Sequence, residues 1–436
     1  MRKSFLVLAL IYGMMLAGAA YWQLYSDLDE SPANPRYYLM FRQERGPIFD
    51  GCGRTLAFSA AEDGVYVRCY AAPSLSHVVG YFHERYGITG LERLYQEELS
   101  QGRSLFTTLD LELQKRAEEL LQGVNGAVVA LRPATGEVLA LVSSPWVDGS
   151  ALDENWPDYL ADVRSPFLNR ATQGLYPPGS TVKPIVYWAA AALGRVDDET
   201  SWSDPGVLNL PGGMISNAGG RAHGQISIAE ALAYSSNVVF AELAVDLEEQ
   251  LLKCFRLFGL GQQIDFELGN LEGFVPAGIA SPYHAAQLGI GQGELLVTPL
   301  QMAQAAAALA NGGILMRPYL VKELRGGLRL RQITRPQVVQ ELLPKSAANT
   351  VRKAMALAAR EGTAQTHLSG SLDYAGKTGT AQTGRSAADH AWFIGFAPVD
   401  APQVAVAVVI EHGGAGAAAA APVGAEIMLK ALQMSE

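Results

Sequence analysis

The sequence predicts an α+β protein whose main domain is an antiparallel sheet built from distant parts of the chain. Two β-prone runs, Gly126–Leu131 and Glu137–Ser143, flank a Pro/Gly turn and indicate a hairpin. Three more strand candidates lie near the C-terminus, at Tyr374–Gln382, Ala391–Phe396 and Val404–Glu411. Residues 180–360, between the two groups, are mostly helical in pattern. We therefore expect an all-helical insertion between the second and third strands of the sheet.

Length and composition narrow the possible functions. The 436 residues exceed one ordinary domain, and a hydrophobic content of 49% provides for a large core. A net charge of -10 argues against nucleic acid as a partner. The cysteines (Cys52, Cys69 and Cys254) form no C-x-x-C and the histidines have no ligand spacing, so neither a metal nor another cofactor is indicated. Cys52 and Cys69 could pair in an oxidising compartment, although two unpaired cysteines are the simpler interpretation.

The N-terminus predicts the cellular compartment. Arg2 and Lys3 precede an uncharged stretch, Ser4–Tyr25, which is about long enough to cross a bilayer as a helix. A cleaved signal peptide with Ala17-Gly18-Ala19 as its processing site is the alternative, but its apolar region is usually only about 7–15 residues long. Positive charge stays on the cytoplasmic side. We therefore expect a single-pass protein of the cell membrane with its catalytic domain outside the cytoplasm.

Three further segments are expected along the chain. Residues 26–105 are polar and loop-rich and read as a small module between the membrane segment, residues 1–25, and the main domain, residues 106–436. The low-complexity run Gly413–Ala421 is expected to link the last strand to a final helix near Val423–Met434.

Three short strings occur in order and carry the chemistry. They are Ser180-Thr181-Val182-Lys183, Ser235-Ser236-Asn237 and Lys377-Thr378-Gly379-Thr380. Together they supply a nucleophile, two candidate proton carriers and a cationic strand that can hold a carboxylate. This combination is typical of acyl transfer through a serine ester. Each string alone is weak evidence, and the ordered set is strong.

The first string is expected at the start of a helix. Pro177-Pro178-Gly179 is an extended approach, and Thr181–Leu193 has a helical pattern with a proline in its first turn. A spacing of three places Ser180 and Lys183 on one helical face. Lys183 acts as a base only if its pKa falls toward neutrality, which burial and the nearby charge of Lys377 would cause. An N-capping serine followed by a solvated lysine would give the same string.

The second string is expected at a corner between helices. Ser227 and Glu230 match a capping box that opens a helix over Ile228–Ala233, and a second helix is predicted over Val238–Phe258. Ser235 would relay a proton toward the leaving group, and Asn237 would bind a substrate amide. The alternative is an Asn/Ser turn that satisfies its own backbone.

The third string is expected in a strand with two glycines, Gly376 and Gly379, which often mark the close approach of a ligand or of another backbone. A peptide could pair along the edge of this strand. Lys377 and the hydroxyls of Thr378 and Thr380 would hold a carboxylate, and the Thr380 amide would complete an oxyanion hole. An exposed Lys/Thr-rich strand is the plain alternative.

These motifs resemble those of the penicillin-binding proteins, specifically the monofunctional class B D,D-transpeptidases that cross-link peptidoglycan. Other segments are also similar to family segments: Arg45–Asp50 with Leu56-Ala57, Thr108–Asp110, Gly126–Pro145, Tyr176–Ser180, Gly291–Gly293 with Thr298-Pro299, and His390–Pro398. The resemblance implies a penicillin-binding/serine β-lactamase-like transpeptidase domain, a membrane-proximal pedestal and one transmembrane helix. It also implies that Ser180 is acylated with Lys183 as base, and that the remaining site residues are Ser235, Asn237, Lys377, Thr378, Gly379 and Thr380.

The resemblance further implies peptidoglycan stem peptides as substrates, β-lactams as inhibitors and no cofactor. In the family, pedestal and anchor engage a membrane glycosyltransferase of the shape, elongation, division and sporulation (SEDS) type. Here the pedestal is short, and Gly51-Cys52-Gly53 departs from the family pattern, which puts its partner contacts in question. The alternatives are a serine β-lactamase or D,D-carboxypeptidase on the same fold, which the anchor and pedestal disfavour, and a non-enzymatic β-lactam sensor, which usually needs further membrane spans or a cytoplasmic domain.

Overall fold

The computed structural model of the chain describes residues 2–24, 40–62, 64–197, 199–326, 331–383 and 388–434. Its helices are α1 Arg2–Leu24, α2 Gly90–Leu94, α3 Gln96–Ser100, α4 Leu111–Leu120, α5 Leu152–Ala161, α6 Arg170–Gln173, α7 Lys183–Ala192, α8 Ile228–Ala233, α9 Asn237–Leu247, α10 Glu249–Leu257, α11 Pro282–Gly289, α12 Pro299–Ala310, α13 Lys345–Glu361 and α14 Gly416–Gln433. Short 3₁₀ turns lie at Pro73–His77, Gly179–Val182 and Ala218–Gly220.

The strands fall into one sheet of five strands, one of six and four two-stranded ribbons within the described residues. They are β1 Ile48–Phe49, β2 Thr55–Glu62, β3 Val65–Tyr70, β4 Phe82–His83, β5 Gly87–Ile88, β6 Ser104–Thr107, β7 Gly126–Leu131, β8 Val138–Ser144, β9 Ser201–Asp204, β10 Val207–Leu210, β11 Gly213–Ser216, β12 Gly224–Ser227, β13 Ile314–Met316, β14 Val321–Arg325, β15 Arg331–Ile333, β16 Val338–Glu341, β17 Ala375–Ala381, β18 His390–Ala397 and β19 Val404–Ile410.

The five-stranded sheet is the centre of the main domain and has the order β17-β18-β19-β7-β8, with every pair antiparallel. All five strands predicted from the sequence are found within about one residue of their expected bounds, so that prediction is confirmed. Alternate residues of β19 face opposite sides, because side chains alternate along a strand. Val406 and Val408 belong to the core beneath α14, whereas Ala407 and Val409 belong to the core that includes α12.

The six-stranded sheet joins two distant parts of the chain. Its order is β15-β14-β6-β1-β2-β3, so strands from residues 48–107 are continued by Val321–Arg325 and Arg331–Ile333. β14 pairs with β6 through Leu324 and Leu105. The N-terminal module therefore shares a sheet with a segment that follows most of the insertion.

A buried ion cluster lies beside this sheet. The Glu92 side chain accepts hydrogen bonds from Arg45 Nε at 3.2 Å and Nη2 at 3.0 Å and from Arg68 Nε at 2.7 Å. All three residues are buried, and the Arg45 guanidinium also lies over the Phe82 ring, 3.8 Å from its centroid. Since each charge has direct partners, the cluster ties the entry of the module to α2.

Three sequence expectations are wrong in detail. The insertion is not all-helical, because it contains β9–β12 and β13–β16. Gly206 and Gly212 have φ of 88° and 101°, and these values permit the tight turns between the short strands. The helix predicted over Val238–Phe258 is two helices, α9 and α10, because Glu248 has a φ of 48° that a helix cannot continue through.

The third correction concerns the C-terminal run of small residues, which is not a linker. α14 begins at Gly416 and includes most of it. Alanine has the highest helix propensity, and small residues let the helix lie directly on the sheet. A Cβ atom at Gly416 would collide with the carbonyl oxygen of Gly379, and one at Gly424 with the Phe393 ring.

The N-terminal helix α1 exposes apolar side chains along its length, among them Leu8, Leu10 and Met15. Among the residues that the structure describes, none of the helices combines the length and apolarity that crossing a membrane requires. Cys52, Cys69 and Cys254 are all free thiols, so the interpretation of unpaired cysteines agrees with the structure.

Candidate active site

Ser180 lies in a 3₁₀ turn, Gly179–Val182, that runs directly into α7. The α-helix thus begins at Lys183, two residues later than expected, and the tighter turn still puts Ser180 and Lys183 on one side, since residues three apart eclipse in a 3₁₀ helix. Gly179 has a φ of 53°, and its amide donates to the Gly291 carbonyl at 2.9 Å. A Cβ atom at Gly179 would lie 2.8 Å from the Thr380 carbonyl oxygen, so the turn is packed against the third motif.

The segment that leads into this turn is fixed by a cluster of charged and polar side chains. The Tyr176 hydroxyl donates to Glu411 Oε1 at 2.7 Å, and Arg170 Nε donates to the same carboxylate oxygen at 2.9 Å. Tyr176 also exchanges backbone hydrogen bonds with Val297 at 3.0 and 2.9 Å. These contacts fix the extended segment before Ser180 to the end of β19 and to the segment that precedes α12.

Lys183 joins the first motif to the second. Its side chain is fully buried, and Nζ lies 2.7 Å from the Ser235 carbonyl oxygen, 3.2 Å from Ser235 Oγ and 2.7 Å from Asn237 Oδ1. The lysine is therefore not solvated, which removes the plain alternative of a surface lysine after a capping serine. Asn237 Nδ2 donates to the Ser216 carbonyl at 2.7 Å, which orients its oxygen toward Lys183.

Lys377 connects the third motif to Ser235, the same residue that Lys183 contacts. It is fully buried on β17, and its Nζ donates to Ser235 Oγ at 2.9 Å and to the Thr378 carbonyl at 2.9 Å. The hydroxyl of Ser235 thus lies between two lysine nitrogens. If one lysine is neutral, this hydroxyl can donate to it while accepting from the other, which is the geometry of a proton relay.

Burial lowers the pKa of both lysines toward neutrality, and a neighbouring charge adds to this effect at Lys183. Burial, reinforced by the positive charge of Lys377, lowers the pKa of Lys183 well below its usual value, and the Asp204 carboxylate partly opposes this. Burial also lowers the pKa of Lys377 to about 7. The direction and both causes that the sequence predicted for Lys183 are confirmed.

The corner that carries Ser235 is strained and well supported. Ser235 has a φ of 61°, a region that non-glycine residues rarely occupy outside functional or turn positions. α8 ends just before it and begins with the predicted capping box of Ser227 and Glu230, which is confirmed. α9 follows at Asn237, where the Ser236 hydroxyl accepts from the Val239 amide at 3.1 Å. The backbone therefore directs both Ser235 oxygens at Lys183.

The third motif lies on β17, an outer strand of the five-stranded sheet. Along the described chain, no strand pairs with the other side of β17. Thr380 is exposed, whereas Thr378 is buried and its hydroxyl donates to that of Thr363 at 2.9 Å. A Cβ atom at Gly379 would lie 2.9 Å from the Pro178 carbonyl oxygen. The close approach that this glycine permits is therefore to the chain's own backbone.

Sequence reasoning missed the support beneath the second motif. Asp204 and Asn217 are buried, and they hold Ser236 and the backbone amide of Asn237. No motif marks either residue. Gly291, whose carbonyl accepts a hydrogen bond from the Gly179 amide, lies in the segment Gly291–Gly293, which resembles a family segment but received no role from the sequence. Within the described residues, no group of three or more His, Cys, Asp or Glu side chains is placed to hold a metal ion.

The chain matches two family profiles. Residues 126–429 match the penicillin-binding protein transpeptidase domain, and residues 45–123 match the penicillin-binding protein A dimerisation domain. The chain is 33% identical to the peptidoglycan D,D-transpeptidase PbpA of Mycolicibacterium smegmatis, with 99% of each chain aligned. It is 32% identical to the peptidoglycan D,D-transpeptidase MrdA of Escherichia coli over 73% of this chain and 56% of that protein.

Solved structures give the same result. Penicillin-binding protein A from M. tuberculosis, solved as a ceftriaxone acyl-enzyme complex, is similar at a TM-score of 0.84 and 32% identity, covering 90% of this chain and 99% of that one. The D,D-transpeptidase domain from Eggerthella lenta matches at a TM-score of 0.82 and 32% identity, covering 90% of this chain and 99% of that domain. The fold, the three motifs and these matches together show that the chain belongs to the class B penicillin-binding proteins.

Proposed function

We propose that the protein is a peptidoglycan D,D-transpeptidase that works through an acyl-enzyme on Ser180 and is inhibited by β-lactams. The observation that carries this proposal is the Ser235 hydroxyl, which lies 3.2 Å from Lys183 Nζ and 2.9 Å from Lys377 Nζ. Two buried lysines that share one hydroxyl form a proton-transfer site, and this site lies beside the turn that carries a serine. Relatives named D,D-transpeptidase and solved as acyl-enzymes have the same architecture.

In the first half-reaction, the Ser180 hydroxyl attacks the carbonyl between the two terminal D-alanines of a stem peptide. Neutral Lys183 accepts the serine proton as the new C–O bond forms. When the C–N bond breaks, the proton passes to the departing D-alanine through Ser235. Backbone amides of Ser180 and Thr380 stabilise the oxyanion.

In the second half-reaction, an amine of a neighbouring stem attacks the ester, and the same relay works in reverse. The open edge of β17 pairs with the donor peptide, and Asn237 binds its amide. Before acylation, protonated Lys377 and the exposed Thr380 hydroxyl hold the terminal carboxylate of the donor, and the Thr378 hydroxyl joins them when it turns from Thr363. Because Lys377 has a pKa of about 7, this cation is available near neutral pH.

The first experiment measures covalent labelling by a fluorescent penicillin. Ser180→Ala removes the nucleophile, so we expect complete loss of labelling with an unchanged circular dichroism spectrum. Ser100→Ala, which removes an exposed hydroxyl at the end of α3 in the N-terminal module, is the control and keeps full labelling. Labelling of folded Ser180→Ala protein at the wild-type rate would overturn the assignment of the nucleophile.

The second experiment measures the lifetime of the acyl-enzyme and the acceptor. A transpeptidase keeps a penicilloyl ester for hours and transfers a stem-peptide analogue to an added amine. Turnover of penicillin within seconds would instead identify a β-lactamase. Release of D-alanine without transfer to the amine would identify a D,D-carboxypeptidase.

We further propose a single-pass location in the cell membrane, with residues 1–25 as cytoplasmic stub and anchor and with the rest outside the cytoplasm. The support is the uncharged sequence Ser4–Tyr25 and the exposed apolar side chains of α1. In this proposal residues 26–105 are a pedestal that contacts a SEDS-type glycosyltransferase, and residues 106–436 are the transpeptidase domain. Protease protection of α1 in membrane vesicles, with digestion of the remainder from the outer face only, tests the location.

A further inference from the structure

Asp204, the last residue of β9, is a fully buried carboxylate outside the three motifs. It accepts a hydrogen bond from the Ser236 hydroxyl at 2.7 Å, from Asn217 Nδ2 at 2.9 Å on each oxygen, and from the Gly206 amide at 2.9 Å. Burying a carboxylate is costly unless hydrogen bonds and nearby charges compensate it. Within the described residues, the hydrogen-bond partners of this carboxylate are all neutral, so no cation in direct contact compensates its charge.

The partners of Asp204 lead to the second motif. Asn217 Oδ1 accepts the backbone amides of Asn237 at 2.7 Å and Val238 at 3.2 Å, and Ser236 Oγ accepts the amide of Val239 at 3.1 Å. These are the first three amides of α9, which have no partner within the helix. Asn217 and Ser236 therefore anchor the start of α9, and both are held by the same carboxylate.

Asp204 also balances the charges of the lysine pair. The charged groups that act on Lys183 are Lys377 on β17, which lowers its pKa, and Asp204 on β9, which raises it. Glu242 on α9 faces Asp204; burial, together with the Asp204 charge, raises the pKa of Glu242. The buried site thus contains two lysines and one carboxylate, and within the described residues this carboxylate forms no hydrogen bond or ion pair with either lysine.

We propose that Asp204 is a positioning residue of the active site: through Ser236 and Asn217 it holds the Ser235–Asn237 corner against Lys183. A second, electrostatic role accompanies the first, because the negative charge of Asp204 opposes the effect of Lys377 on Lys183. This inference rests on the proposed acyl transfer and adds a residue that lies outside the reacting groups. It also assigns a role to Ser236, the middle residue of the second motif, which links the carboxylate to the corner.

The two roles predict different effects of substitution. Asp204→Asn keeps the shape, removes the charge and turns one acceptor into a donor that opposes Asn217 Nδ2. We expect acylation to slow by about tenfold or more, because a buried hydrogen bond to a charged group is lost. Removal of the negative charge lowers the pKa of Lys183 further. Since the protonated lysine cannot accept the serine proton, the acid limb of the rate profile moves to lower pH.

The test is the second-order rate constant for acylation by a fluorescent penicillin, measured from pH 5 to 10 on full-length protein in detergent. Wild-type protein must first label at Ser180, which tests the proposed function separately. Asp246→Asn removes an exposed carboxylate from α9, the helix whose start Asp204 supports, and is the matched control with wild-type rate and profile. Ser236→Ala keeps the carboxylate but breaks its link, so we expect a slower rate with the acid limb in place.

A folded Asp204→Asn protein whose acid limb coincides with that of wild type would overturn the electrostatic role. If this variant does not fold, Ser236→Ala decides the positioning role, because a wild-type acylation rate in Ser236→Ala would contradict it. Rescue of the rate in Ser236→Thr, which restores the hydroxyl, is the result expected of a positioning link and not of general damage to α9.

Discussion

The molecule contains two buried clusters with the same formal composition, two cations and one carboxylate, and they are built in opposite ways. In the N-terminal module, Arg45 and Arg68 contact Glu92 directly at 2.7–3.2 Å. In the active site, Lys183 and Lys377 instead share the neutral Ser235 hydroxyl. Arginine keeps its proton even when burial lowers its pKa, as it does for Arg45. The first cluster is therefore a fixed structural joint and the second a site where a proton can move.

Exchanging the type of cation at the active site tests this contrast most strongly. Lys183→Arg preserves the charge but installs a group that cannot lose its proton near neutral pH. We expect the acylation rate to fall by about 10²–10⁴-fold, the usual contribution of a general base. Arg68→Lys, the reverse exchange in the N-terminal module, should leave the acylation rate of the folded protein unchanged. A Lys183→Arg protein that still acylates at more than a tenth of the wild-type rate would refute the role of base.

Removing the carboxylate from the Arg45–Glu92–Arg68 cluster tests the other half of the contrast. Glu92→Ala leaves two buried guanidinium groups without their counter-charge, and such losses cost about 3–5 kcal/mol. We expect a clear drop in the midpoint of thermal unfolding. Arg164→Ala, which breaks an exposed ion pair with Asp162, is the control and should change the midpoint little. Unchanged unfolding of Glu92→Ala would mean that the cluster is not a structural joint.

The smallest effect concerns stability and pH. The folded pKa of Lys377 is about 7, below its ordinary value of 10.5, so between these values the unfolded chain binds more protons than the folded chain. The stability of the folded protein must then rise with pH across this window. Lys377→Met removes this dependence, so it should raise the unfolding midpoint at pH 7 by more than it does at pH 10. An equal effect at both pH values would contradict the lowered pKa.

Sequence reasoning succeeded where local pattern and structure coincide. The five strands, the capping box before α8 and the three motifs all follow from residue spacing. It failed where tertiary contacts decide. The run of alanines became a helix because a sheet lies beneath it, and the strands around Asp204 depend on glycine turns within a pattern that otherwise suggests helix. Asp204 forms a local turn with the Gly206 amide, but the partners that link it to the site, Asn217 and Ser236, lie 13 and 32 residues away along the chain.

The six-stranded sheet also constrains how such a chain can evolve. Because β14 pairs with β6, a chain that lacked residues up to 107 would leave one side of Val321–Arg325 without its strand partner, and bare sheet edges tend to associate with other chains. The strands of residues 48–107 and the segment Val321–Arg325 therefore cannot be exchanged independently of each other. A recombination event that replaced the first would have to bring a strand complementary to the second, so exchange between relatives should succeed only when both are inherited together.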